Sequence, residues 1–170
     1  HHVDTLFHCP EIKLQSGSGG IQQLGLKPSQ IIEVTKQVFE TYAYRESSDG
    51  VVALLQPNKS TLTDIQLSSV PFIILLEAVE KPGNLGAILR TADAAKADAV
   101  IICDPKTDIY NPNVIRSSVG CVFTTQVTAC SNDEALQWLK EKNITPYAAA
   151  LTANALYHQT DFTKPSAIVM

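Results

Sequence analysis

The chain opens on a short apolar run, residues 3–9, which predicts a strand stopped by Pro10. Residues 15–20, Gln-Ser-Gly-Ser-Gly-Gly, present no apolar face and predict a flexible loop. Ile31, Val34, Val38 and Tyr42 then recur every three to four residues. That spacing places them on one face of a helix entered after Pro28 and left near Arg45. Ser47, Ser48, Asp49 and Gly50 predict a turn, and residues 51–56 a buried strand. Residues 57–70 are polar and without period, so they are expected to link a small α/β domain, 1–56, to a second domain, 71–170.

From Pro71 the pattern alternates. Residues 71–79 form a nearly continuous apolar run, the signature of a strand buried on both faces, and a helix is expected over 85–96. A second buried strand begins at Asp98. Asn111 and Pro112 predict the cap and first turn of a short helix through Ser117, followed by a strand from Cys121. Ser131 and Glu134 form an S-x-x-E capping box for a helix over 132–142, and a further strand begins at Thr145. Strands alternating with helices through short links imply an α/β fold with a parallel sheet. The last apolar run, 166–170, reads as one more buried strand. Parallel sheets bind ligands beyond the carboxyl ends of their strands, so a functional loop is expected to follow Met170.

Composition narrows the possibilities. No apolar run approaches the roughly 20 residues needed to span a bilayer, and the first residues lack a secretory pattern, so a cytoplasmic protein is expected. Cys9, Cys103, Cys121 and Cys130 show neither C-x-x-C spacing nor histidines at zinc-ligand distance, so they read as buried thiols and no metal is expected. The net charge of −4 is not the basic footprint of bulk nucleic-acid binding; any such role needs a local cationic patch.

The candidate chemistry lies in residues 81–86, Lys-Pro-Gly-Asn-Leu-Gly, between a buried strand and a helix. Proline and two glycines there permit a sharp turn, close backbone approach and exposed helix N–H groups suited to a phosphate or carboxylate; glycines at such turns also serve geometry alone. The spacing is not G-x-G-x-x-G, so no dinucleotide fingerprint is present. Arg90 follows, flanked by the small residues Ala87, Ala92 and Ala94, and either reaches over the strand ends or is a solvated helix-face cation.

Glu77, Pro82-Gly83-Asn84-Leu85-Gly86 and Arg90-Thr91-Ala92-Asp93 together resemble the first motif of the SpoU RNA ribose 2′-O-methyltransferases, N-x-G-x-x-x-R-T-A. Asn111-Pro112 through Ser118-x-Gly120 resembles that family's N-P…S-x-G segment, and the first domain resembles the small α/β RNA-recognition domain many members carry. The resemblance implies a parallel α/β SPOUT methyltransferase domain of the trefoil-knot type, working as a homodimer on ribosomal or transfer RNA with S-adenosylmethionine. It implies that Arg90 serves the ribose 2′-hydroxyl and adjacent phosphate, with Asn84 placing that arginine or the ribose. Glu77 either holds Arg90 or caps the following turn. Gly86, Ser118 and Gly120 are implied on the RNA side, with Arg116 there or simply in solvent. Ala149, Leu151 and Thr152 match the adenosine-side loop. The family's second motif, a Gly-x-Glu turn, and its third, with Ser-Leu-Asn, belong past Met170, so the knot region is missing from these residues. Two rival readings carry different expectations: a non-catalytic RNA-binding protein of the same fold, and an α/β domain binding a nucleotide at Gly83 to Gly86.

Overall fold

A computed structural model describes residues 2–12, 20–43, 49–153 and 155–170, which fall into two compact units, His1–Asn58 and Lys59–Met170.

The first unit is built on a three-stranded sheet. β1 (His2–His8) is central, paired in parallel with β2 (Ile31–Glu33) and antiparallel with β3 (Val51–Gln56). The helix expected from Ile31 onward is instead a strand and then a helix. Ile31 lies opposite Leu6 in the sheet, and the hydroxyl of Thr35 accepts from the Val38 N–H to start α1 (Lys36–Tyr42). β-branched isoleucines favour the strand, and the threonine cap resets the period. The buried residue of α1 is therefore Phe39, while Val38 and Tyr42 stay exposed. Pro28 opens a short 3-10 turn rather than the helix. β3, expected to be buried, is an edge strand whose residues from Ala53 onward are exposed. Gly50 closes the preceding turn at φ +71°, where a Cβ would meet Ile12 and the Cys9 carbonyl at about 3 Å. The expected loop at 15–20, apart from Gly20, the helix end near Arg45 and Ser47 and Ser48 lie outside the described residues.

The second unit is a five-stranded, all-parallel sheet in the order β6-β5-β4-β8-β7. Its strands are β4 (Phe72–Glu77), β5 (Ala99–Cys103), β6 (Val127–Cys130), β7 (Thr145–Ala148) and β8 (Ser166–Val169). Successive strand residues point to opposite faces. Leu76 and Ile74 pack with Leu85, Leu89 and Ala92 of α2 (Pro82–Ala94) and Val114 of α3 (Pro112–Ser117). Ile73 and Leu75 pack on the other face with Ala135, Trp138 and Leu139 of α4 (Asn132–Glu141). β5 is buried at every position, which is why its sequence shows no alternation.

Residues 59–70, most of the expected linker, belong to this unit. Leu62, Ile65 and Leu67 pack against the α4-side core, Thr128 donates to the Ser60 carbonyl at 2.7 Å, and Asp98 accepts from Ser68 and Phe72 N–H groups. The strand expected from Cys121 is also displaced. Cys121–Phe123 form a 3-10 turn that drops Val122 into the α2-side core, and pairing starts only at Val127. An apolar run declares burial, not backbone conformation.

The capping box at α4 is formed as expected: the Ser131 hydroxyl accepts from the Glu134 N–H, and Glu134 accepts from the Ser131 N–H at 2.8 Å. Ser131→Ala is expected to cost about 1 kcal/mol in chemical denaturation. The Ser131 N–H, then its hydroxyl, hold the Glu134 carboxyl below its ordinary range. A lowered pKa contributes stability above the ordinary carboxylate range and loses it as pH falls through the folded value. The stability difference between wild type and Glu134→Ala should therefore shrink on acidification below about pH 4.

Candidate functional site at the carboxyl edge of the sheet

Pro82 occupies the first turn of α2, so Gly83 and Asn84 lie within the helix and not in a loop before it. Asn84 is exposed, and its N–H is bound by the Lys81 carbonyl. Gly83 has open space where a Cβ would stand. Gly86 is the opposite: it is buried, and a Cβ there would lie 2.7 Å from both the Ser118 nitrogen and the Val114 carbonyl oxygen and would overlap the Ser117 hydroxyl. Gly86 therefore lets α3 lie directly on α2. The structure shows it in a packing role.

Arg90, one turn beyond Gly86, is exposed, and its Nη1 donates to the Ser117 carbonyl at 3.4 Å. The expected Arg90–Glu77 pair is not made. Glu77, at the carboxyl end of β4, instead accepts from the Asn132 amide at 3.2 Å, and the same amide donates to Asp104 at 2.9 Å. A neutral amide held between two carboxylates relieves part of their repulsion at the strand ends. Asp93, a further turn along α2, accepts from the Thr124 hydroxyl at 3.2 Å and from the Cys121 thiol.

Ser118 is fully buried, and its hydroxyl donates to the Ile115 carbonyl and accepts from the Val122 N–H. It shapes the turn after α3. Gly120, at φ +89°, supplies the left-handed step that turn requires. Arg116 is exposed in the last turn of α3. Ala149, Leu151 and Thr152 follow β7 at the same edge of the sheet; the Ala149 N–H is bound by the Val169 carbonyl, and Leu151 is fully exposed.

Asn132, Asp104 and Ser117 were not among the candidate residues read from the sequence, and Asp93 was there only as the end of the motif. Asp104 and Asn132 had a usable signal, since each directly follows a buried strand or its first turn at the edge where parallel sheets bind ligands. Cys103 and Cys130 are register partners at that edge; burial, then the neighbouring Cys130 thiol, pushes Cys103 up to about 12, and burial also raises Cys130, which disfavours the thiolate at both. Among the described residues no cluster of three or more metal-binding side chains occurs, and no helix is long and apolar enough to cross a membrane. A cleft of about 400 Å³ beside α4, lined by Leu62, Cys130, Glu134, Trp138 and Glu141, lies on the sheet face opposite α2 and α3. Its acidic rim does not suit RNA phosphate.

Comparison with known proteins bears on this edge of the sheet. The chain is 32% identical over 141 residues to the 23S rRNA (guanosine(2553)-2'-O)-methyltransferase RlmP of Bacillus subtilis, spanning 83% of this chain and 55% of the relative. It is 29% identical over 156 residues to the 23S rRNA (guanosine-2'-O-)-methyltransferase RlmB of Vibrio vulnificus, spanning 88% and 62%. The crystal structure of an RNA 2'-O ribose methyltransferase superposes with a TM-score of 0.74 at 33% identity, covering 99% of this chain and 63% of the other. That of an AdoMet-bound rRNA methyltransferase from Sinorhizobium meliloti gives 0.84 at 26% identity, covering 99% and 62%. The chain thus spans little more than half the length of these curated relatives. The profile of the SpoU rRNA Methylase family matches residues 71–170, more than half of the chain and all five strands of the parallel sheet, and the chain belongs to that family.

Proposed function

We propose that this chain carries the RNA-facing part of an S-adenosylmethionine-dependent ribosomal RNA ribose 2′-O-methyltransferase. The observation that supports it most is Arg90, an exposed cation on α2, the helix that follows β4, whose bonded partner is a neutral carbonyl. Transfer to a ribose oxygen needs a group that stabilises the oxygen as its proton leaves. A guanidinium does this at any ordinary pH and has further N–H donors for the neighbouring phosphate. Asn84, exposed on the first turn of α2, orients the ribose, and Arg116 adds charge toward the RNA backbone. Glu77 acts with Asn132 and Asp104 to shape the strand ends, not on Arg90.

Ala149, Leu151 and Thr152 fit the adenosine side of the cofactor, because the exposed Leu151 offers an apolar face and the backbone of Ala149 is fixed by β8. When bound, S-adenosylmethionine supplies the electrophilic methyl group. The working protein is a cytoplasmic homodimer in this reading; the exposed Leu156 and Tyr157 suit burial against a second copy.

Calorimetry on the full-length protein tests the reading. S-adenosylmethionine should bind and simple nucleotides should not; tight nucleotide binding without cofactor binding would instead support an α/β nucleotide-binding domain. Residues 1–58 are assigned to RNA recognition. Their deletion should weaken RNA binding at least tenfold, about 1.4 kcal/mol, with cofactor affinity kept. Unchanged RNA affinity would remove that assignment.

A further inference from the structure

We propose that the last turn of α3 is the seat that orients Arg90, with Ser117 as a positioning residue whose placement is set by Gly86. This rests on the methyltransferase reading for its consequence, but not for its geometry. Gly86 and Arg90 are four residues apart and so lie one above the other on the same face of α2. Both meet the end of α3: Gly86 through Val114, Ser117 and Ser118, and Arg90 through the Ser117 carbonyl.

The carbonyls of a last helical turn lack intrahelical partners, which makes that end a natural acceptor for a cation. The carboxylates that could compete are engaged elsewhere. Asp93 is held by Thr124 and Cys121, and Glu77 by Asn132. Arg90 is consequently steered by a neutral dipole and keeps its full charge for an anionic oxygen, whereas a carboxylate partner would have cancelled much of it. Ser117 is pinned in turn. Its hydroxyl donates to the Asn113 carbonyl at 2.6 Å and stands 3.4 Å from the Pro82 carbonyl at the start of α2. With no side chain at 86, α3 settles at the height that brings the Ser117 carbonyl beside the guanidinium.

The test uses the full-length protein with ¹⁵N-labelled arginine. In the wild type, the Arg90 Nη signals should show hindered rotation, as expected of a guanidinium held by a hydrogen bond. Ser117→Val, whose added methyl crowds the Gly86 contact, should free that rotation. It should also lower kcat roughly 10- to 100-fold, the range a displacement of about 1 Å produces, with KM for S-adenosylmethionine little changed. Ser117→Ala keeps the carbonyl and fits beneath Gly86, so it should lose far less than Ser117→Val. Freely rotating Arg90 Nη groups in the wild type would overturn the proposal, even if Ser117→Val does not fold. So would a Ser117→Val protein with unaltered kcat. Hindered rotation in a protein that transfers no methyl group would leave the seat standing and defeat the methyltransferase reading, so the two failures are distinct.

Discussion

Arg90→Ala should reduce methyl transfer by the full-length protein by about 10² to 10³-fold, the usual cost of removing one preorganised donor at a developing oxyanion. Affinity for S-adenosylmethionine should stay within about twofold, because Arg90 lies on α2 against α3, whereas the residues proposed for the adenosine side follow β7, the outermost strand of the sheet. The loss should appear in kcat, since an interaction made only in the transition state leaves ground-state binding alone. Arg90→Lys should recover little. An ammonium is a point charge that cannot bond the Ser117 carbonyl and a ribose oxygen through one rigid plane. Folding should be unaffected, because the side chain is exposed and makes a single long hydrogen bond.

Gly86→Ala should have the largest effect on stability among single-methyl additions in this chain's first motif. Two of the atoms a Cβ would meet, the Ser118 nitrogen and the Val114 carbonyl oxygen at 2.7 Å, are backbone and cannot rotate away. The two helices must separate, at an expected cost of about 1–3 kcal/mol. Gly83→Ala, three residues earlier in the same helix, meets nothing within 4 Å and should be neutral or slightly stabilising, since alanine is the better helix former. Urea titration of the two variants measures the contrast. Equal midpoints would mean that α2 and α3 are not in contact through Gly86. Because Gly86 also sets the height of α3, the residual activity of a folded Gly86→Ala protein should fall by more than its unfolded fraction explains.

The second unit was largely legible in sequence because its central strands β4 and β5 are buried and α3 and α4 carry side-chain caps. The runs at 72–77 and 99–103 could be little else than central parallel strands, and Asn111 and Ser131 begin their helices where their side chains bond the next turn. The first unit was read less well. In a small three-stranded sheet most residues are partly exposed, so apolar positions at 31, 34, 38 and 42 mimic a helical face although only Phe39 is buried in α1. Residues 59–70 looked like a linker since their three anchoring apolar side chains are scattered among polar residues, and the backbone N–H groups of Gln66 and Ser68 that tie the segment down, to Gln126 and Asp98, leave no mark in the pattern. At the site, the motif singled out Arg90, Asn84, Gly86 and Ser118 without showing how the glycine and serine pack. Gly86 and Ser118 matter because of what α3 does beside them, a contact made across about thirty residues of sequence that no local pattern declares.

Ribose methylation dependent on Arg90 can be measured by incubating the full-length protein with ribosomal RNA and S-adenosylmethionine labelled in its methyl group, then digesting the RNA to nucleosides. Label is expected on a ribose 2′-oxygen with wild-type protein and should be lost with Arg90→Ala. Label on a base, or undiminished ribose methylation by Arg90→Ala, would contradict the proposed function.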